Sequence, residues 1–517
     1  MRARLAGIVR VWAAFAAVPG CVVIDDPNHC ANRDGDATCQ ALFDSRPVCS
    51  VCRRSFSGCE AAPVDPACRA DGAAASGTSS GSTTSAGSDT IDPSSTSSGT
   101  PVPCEGEGES ATCPEARPYC IAGECSGCDA AGGDAFCMTL SADTPQCSVG
   151  WGRCVECVDA TSPVCVAEQS ACTTSFTCGA CTRQDQCPDS ACNPFTGACM
   201  DDAEHLWIDE NAANCADLNA GSEAAPLCTL GEALARTDGS ASWVFHLGDG
   251  TYDDLRLVGC SGKSIAVLGT SGSGTQLSNA SAPGLDVECN NTIILRRVRL
   301  LGFGAASLQC MAGAKVALEQ VQVADGEPAG ILVEDCDLIV DRSRVVGAPE
   351  AALDARSSSV VISSSLFATA EDAAASAVTL DLDGGEVQAR FATIVGTGDG
   401  IAMRCTSEAS GTVDSAIVSS ASTPAGIDCE GLALDVQFER CAVDDSTILG
   451  ENNARPAYDP AWFIAAPNDL RLGPGAVFDL EGVGRWDLGD PALDYDGDPW
   501  PLPPGRAVYP GGDQPAD

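Results

Sequence analysis

Residues 292–302 read "TIILRRVRLLG", and the reading of this stretch decides the architecture. With Val298 as a reference, comparable positions follow at Val321, Ser343, Ser365, Phe391, Ser415 and Cys441, at intervals of 22 to 26 residues. Two residues later come Leu300, Val323, Val345, Phe367, Thr393, Ile417 and Val443, and the units open with "GLDV", "GILV", "GIAM" and "GIDC". Alternation at period two inside so short a repeat means brief strands joined by turns. No single repeat could bury its apolar face alone. Stacking solves this, and the pattern predicts a parallel β-solenoid with rungs about 4.8 Å apart.

The same stretch places Arg296, Arg297 and Arg299 in a chain with 72 Asp and Glu against 28 Lys and Arg. The position before each reference residue holds Arg297, Gln320, Arg342, Ser364, Arg390, Asp414 and Arg440, and the position after it adds Arg299, Gln322 and Arg344. These sites alternate with apolar ones and are expected to face outward, with Glu319, Asp341 and Glu439 one residue earlier. One reading is an exposed ladder of ion pairs, each worth about 0.2–1 kcal/mol. The other is a basic stripe for an anionic glycan, because planar guanidinium forks suit carboxylate or sulfate. The candidate ligand-binding residues are therefore Arg297, Arg299, Arg342, Arg344, Arg390 and Arg440.

A formal charge of −44 on 517 residues argues against nucleic acid or an anionic membrane surface as a general partner. With 44 % apolar residues the chain can build a sizeable core in at least one of two or three domains.

The chain begins "MRARLAGIVRVWAAFAAVPGC". Arg2, Arg4 and Arg10 precede an apolar run from Val11 to Val18 that is too short to span a bilayer and suits a secretory signal. Its end, Val18-Pro19-Gly20-Cys21, resembles the lipobox of bacterial lipoproteins. That resemblance implies acylation of Cys21 as the mature N-terminus. Val22 after the cysteine implies the outer membrane, on the cell surface or the periplasmic face.

Six cysteines, Cys30, Cys39, Cys49, Cys52, Cys59 and Cys68, form a first short module over 21–69. A Ser/Gly/Thr-rich linker over 70–103 is expected to act as a flexible stalk of about 30 Å r.m.s. length. A second module over 104–200 holds sixteen: Cys104, Cys113, Cys120, Cys125, Cys128, Cys137, Cys147, Cys154, Cys157, Cys165, Cys172, Cys178, Cys181, Cys187, Cys192 and Cys199. The two modules are related, since "GDATCQALFDSRPVCSV" lies over "GDAFCMTLSADTPQCSV". C-x-x-C pairs at Cys49/Cys52, Cys125/Cys128, Cys154/Cys157 and Cys178/Cys181 would argue zinc in a cytosolic protein. The export signal reverses that expectation, and even counts in each module point to full disulfide pairing whose connectivity stays open. Cys215 and Cys228 are further disulfide candidates. The nine cysteines from 215 onward are an odd number, which leaves at least one thiol free if Cys21 is acylated.

From residue 205 the ordered phrases "HLWIDENAANCADLNAGSEAAPLCTLGEALA", "VFHLGDGTYDDLRLVGCSGKSIAVLGT", "DPAWFIAAPNDLRLGPGAVFDLEG" and "DPALDYDGDPWP" resemble the landmarks of right-handed parallel β-helix proteins of the pectin-lyase-like superfamily. Thr229 with Glu232 makes a capping box for a short helix, the one that covers the open end of the solenoid in such folds. Lyases of this family use an Arg or Lys base beside calcium-holding carboxylates, and its hydrolases use clustered Asp, a Gly-His-Gly turn and an Arg-x-Lys. Neither of those two motifs occurs in this sequence. His205 and His246 lie before the regular rungs and read as structural. Asp494, Asp496 and Asp498 in "DYDGD" offer oxygens to calcium, without the order of an EF-hand loop. No other cofactor is implied.

The expectation is an all-β protein: a signal peptide over 1–20, two disulfide modules around a linker, a β-helix over 205–505 and a tail over 506–517. As an outer-membrane lipoprotein it would present the helix as a non-catalytic binding or structural surface, adhesin-like, for polysaccharide or another surface component. The alternative is a polysaccharide lyase or glycoside hydrolase of the same superfamily.

Overall fold

The computed structural model describes residues 48–49, 59–60, 108–109 and 113 and then, with short gaps, 118–200 and 203–514. Cys21 and most of the first module lie outside the described residues. The chain divides into two units, 1–96 and 97–517. In the first, Val48–Cys49 pairs antiparallel with Cys59–Glu60, and Cys49 stands opposite Cys59.

In the second unit, tandem four-cysteine repeats come first. Each is crosslinked first to third and second to fourth: Cys128–Cys147 with Cys137–Cys154, Cys157–Cys172 with Cys165–Cys178, and Cys181–Cys192 with Cys187–Cys199. Cys113–Cys125 is the second-to-fourth bond of a preceding repeat. The third and fourth cysteines face each other across a hairpin, as in Cys147 opposite Cys154 and Cys172 opposite Cys178. Cys49 and Cys59 repeat that register. The C-x-x-C pairs Cys125/Cys128, Cys154/Cys157 and Cys178/Cys181 are thus junctions, the last cysteine of one repeat and the first of the next. Three sulfurs such as those of Cys128, Cys137 and Cys147 come within 4.8 Å of one another because two disulfides sit side by side.

From Glu204 the chain winds into parallel strands stacked as three sheets. Sheet A runs through Glu204–Ile208, Ser242–Leu247, Ser264–Gly269, Thr292–Arg296, Lys315–Glu319 and Asp337–Asp341. Sheet B runs through Gly250–Tyr252, Thr275–Asn279, Arg299–Gly302, Gln322–Ala324 and Arg344–Ala348. Sheet C begins at Leu255–Leu257, Leu285–Glu288, Leu308–Met311 and Ala329–Glu334. Two 19-residue strands, Ala351–Thr369 and Val378–Gly396, then carry all three sheets round the corners in one run. Aliphatic ladders such as Leu295, Leu318, Val340 and Ile362 fill the interior. Each such side chain, fully buried, contributes about 1.5–3 kcal/mol.

A single residue of positive φ turns the chain from sheet A to sheet B: Arg297, Gln320, Arg342, Ser364, Phe391, Ser415 and Arg440. One left-handed residue redirects a strand without a loop. This column corrects the sequence register in two rungs, because Ser365 pairs with Ala392 and Phe391 occupies the corner. Phe391 is buried from outside the solenoid, its ring tilted against Trp500 at a centroid distance of 4.4 Å and packed with Trp486.

The helix Leu230–Ala235 buries Leu230 and Ala233 in the solenoid core at its N-terminal end. Only half of the expected capping box forms: Thr229 Oγ1 accepts from the Glu232 amide at 3.3 Å, while the Glu232 carboxylate pairs with Arg236 at 2.9 Å. Two other segments cover outer faces. The last four-cysteine repeat, with Ala191, Met200 and Phe195, packs on Val244, Ala266, Ile294 and Ala317 of sheet A. Among the described residues the last solenoid strand is Ala442–Val443, and the segment from Tyr458 folds back over Leu366, Val395, Ile417 and Ala442 of sheet B.

Candidate functional site

The C-terminal cover stops partway along sheet B, and the arginines sit at its edge. Arg299, Gln322 and Arg344 occupy one outward column on successive rungs. Past Arg344 the column becomes Leu366, Thr393 and Ile417, beneath the cover. The hairpin Phe463–Ala465 with Asp469–Leu472 overhangs this boundary, and the Asn468 carbonyl at its tip accepts a hydrogen bond from Arg344.

Beneath the overhang lies a chamber of about 200 Å³, lined by Arg299, Gln322, Arg344 and Asn468 and by Asp325 and Glu371. At Gln322 it meets a more open groove of about 320 Å³ along the corner, lined by Arg297, Gln320, Arg342, Tyr495 and Asp496. The Nε atoms of Arg299 and Arg344 are buried without a hydrogen-bond partner among the described residues.

The other solenoid arginines are matched by carboxylates: Arg256 by Asp286, Arg356 by Asp354, Arg404 by Asp381, Arg390 by Asp490 and Arg440 by Asp414. Arg342, expected to face solvent, is 6 % exposed and bonded to Glu319 and Asp341. Arg296 reaches the same Glu319 at 3.7 Å, and the Gln184 amide donates to it at 3.0 Å. Burial pushes the Glu319 carboxyl up, although Arg296 and Arg342 oppose the shift. Arg390 does not belong to the corner column. It pairs in register with Ser363 and Asp414, one residue earlier.

Arg297, Arg299 and Arg344 differ from these. Among the described residues none of the three forms an ion pair; Arg297 bonds only the neutral Gln320 Oε1, at 3.1 Å. The nearby acids Asp469 and Asp496 are held by Arg471 at 2.7 and 3.2 Å. Arg471 keeps the Asp469 carboxyl below its usual range, with Arg344 a lesser contributor. The groove therefore presents uncompensated guanidinium forks beside hydroxyl-accepting Asp325 and Glu371, an arrangement suited to an anion that also carries hydroxyls.

The calcium candidates take separate partners. Asp494 is 1 % exposed and accepts from the amides of Gly497 and Asp498 at 3.0 and 2.8 Å, Asp496 goes to Arg471, and Asp498 is exposed. Cys215–Cys228 is a disulfide, as are Cys260–Cys289, Cys310–Cys336 and Cys405–Cys429; Cys441 is free and buried. Sequence reasoning missed Asn468, Asp325 and Glu371. Asp325 stands at a turn of positive φ, and Asn468 reaches the groove only through the fold-back.

A family of unknown function (DUF8331) matches residues 92–205, the stretch carrying the four-cysteine repeats. Comparison with curated protein sequences gives no match. Among solved structures the chain is similar to a pectin methylesterase from Aspergillus niger, at 11 % identity and a TM-score of 0.35 over 50 % of this chain and 92 % of that one. It is also similar to pectate lyase Pel9A, at 11 % and 0.38 over 59 % and 89 %. A rhamnogalacturonan lyase matches at 12 % and 0.32 over 59 % and 97 %. No residue role passes from these proteins to this chain.

Proposed function

We propose that this is a lipid-anchored bacterial surface protein that displays its β-solenoid as a non-catalytic binding surface for an acidic polysaccharide, gripped by Arg297, Arg299 and Arg344. The observation that carries the reading is that, among the described residues, these three arginines have no carboxylate partner in a chain of charge −44, where the neighbouring arginines do. An ion pair would have been easy to supply, and its absence leaves the forks available. The net negative charge does not forbid this, because charges beyond about 8 Å are screened at physiological ionic strength. The lipobox-like "VPGC", the linker and the disulfide repeats fit an anchor and a spacer that hold the solenoid off the membrane. A glycan array read at two salt concentrations tests the reading. Salt-sensitive binding to polyuronate or sulfated polysaccharide supports it, and no anionic ligand at either salt removes it.

A further inference from the structure

Away from the groove, on the outer face of sheet A at its N-terminal end, two of the three histidines of the chain meet. His205 and Trp207 alternate outward along Glu204–Ile208, and His246 lies on the next strand, directly opposite Trp207. The Nδ1 of His205 and the Nε2 of His246 are 3.0 Å apart. The Trp207 ring stacks on the His246 ring at a centroid distance of 4.4 Å and an angle of 12°. Both imidazoles are part-buried, fixed on adjacent strands of a rigid stack, and neither takes part in the arginine groove.

We propose that His205 Nδ1 and His246 Nε2 form a two-imidazole chelate for a borderline divalent transition metal, Cu²⁺ above all. Two nitrogens bound at about 2.0–2.1 Å to one ion lie about 2.9 Å apart at a right angle and about 3.3 Å apart at the tetrahedral angle. The observed 3.0 Å is close to the first, the cis arrangement of tetragonal Cu²⁺, which also binds nitrogen ligands most tightly in the divalent series. Water would complete the coordination. A hydrogen bond between two neutral imidazoles places one N–H against one lone pair. For both lone pairs to face the ion, each ring would carry its proton on the nitrogen away from it. Hard cations such as calcium prefer oxygen donors and gain nothing here.

The test uses the full-length oxidised chain titrated with Cu²⁺ in excess calcium, which occupies the carboxylate surface. Copper spin resonance should show coupling to two imidazole nitrogens, and tryptophan emission should fall as copper settles beside Trp207. His205→Gln and His246→Gln should each reduce the coupling to one nitrogen. Outer-shell partners alone are worth about 10- to 100-fold in metal affinity, so loss of a ligand should cost at least about tenfold. Trp207→Phe should keep the two-nitrogen spectrum and lose most of the quenching. A wild-type spectrum without two nitrogens, or unchanged affinity in both histidine variants, would overturn the assignment.

Discussion

Replacing Arg342 by methionine should be far more damaging than its place in an arginine-rich corner column would lead one to expect. Its guanidinium is 6 % exposed and joins Glu319 and Asp341. Removing one partner of a buried pair costs about 3–5 kcal/mol, because the other charge stays buried. Glu319 would keep Arg296 at 3.7 Å and the Gln184 amide at 3.0 Å, and Asp341 would keep the Ser363 hydroxyl at 2.6 Å. The low end applies, about 3 kcal/mol. Arg297→Met, at an exposed site, should stay within about 0.5 kcal/mol. Glu319→Gln added to Arg342→Met should recover part of the loss, as expected for groups in one network. Amide hydrogen exchange across residues 315–346 is the appropriate assay, because a stacked solenoid opens rung by rung. The pH dependence gives a second reading. Burial raises the Glu319 carboxyl, so the fold favours its neutral form; its contribution is largest at low pH and falls as pH rises through the folded value. Loss of Arg342 raises that value further, so the penalty should be larger at pH 8 than at pH 5. Equal effects of the two arginine substitutions, or a penalty that grows on acidification, would refute the reasoning.

Non-reducing peptide mapping of residues 118–200 should recover Cys137–Cys154 and Cys157–Cys172 as separate links; a bond within Cys154/Cys157 would contradict the repeat connectivity. Cys441, buried and with its thiol pushed up to about 12, should resist iodoacetamide at pH 8 in the folded protein and react after unfolding. A fatty-acid probe should label the wild-type chain in its native host and not Cys21→Ser, and equal labelling would remove the anchor from the account.

The solenoid was legible because its signal is local and repeated. Val298, Leu300 and their counterparts need only the next rung to be buried, so spacing alone places them. The register slipped where that logic fails: Phe391 looks interior, yet its burial comes from Trp486 and Trp500, about a hundred residues downstream. The same fold-back closed part of the arginine face and created the chamber under Asn468, and no local pattern announces it. Arg342 shows the limit for charge, since alternation marks it as outward while the Glu319 network and the covering segments bury it. Disulfide pairing was hidden for another reason. A C-x-x-C spacing is equally compatible with a bond inside the pair and with a junction between repeats, and only the hairpin register separates the two.

The most direct test of the central claim compares wild type with Arg299→Gln/Arg344→Gln for binding of a fluorescent polyuronate oligomer at low and at physiological salt. Each partly exposed guanidinium–carboxylate contact should contribute about 1–1.5 kcal/mol, so the double variant should bind about 30- to 150-fold more weakly and show a shallower salt dependence. The ligand should be recovered uncut. Equal binding by the two proteins would contradict the arginine groove, and a shortened oligomer would replace a binding surface with an enzyme.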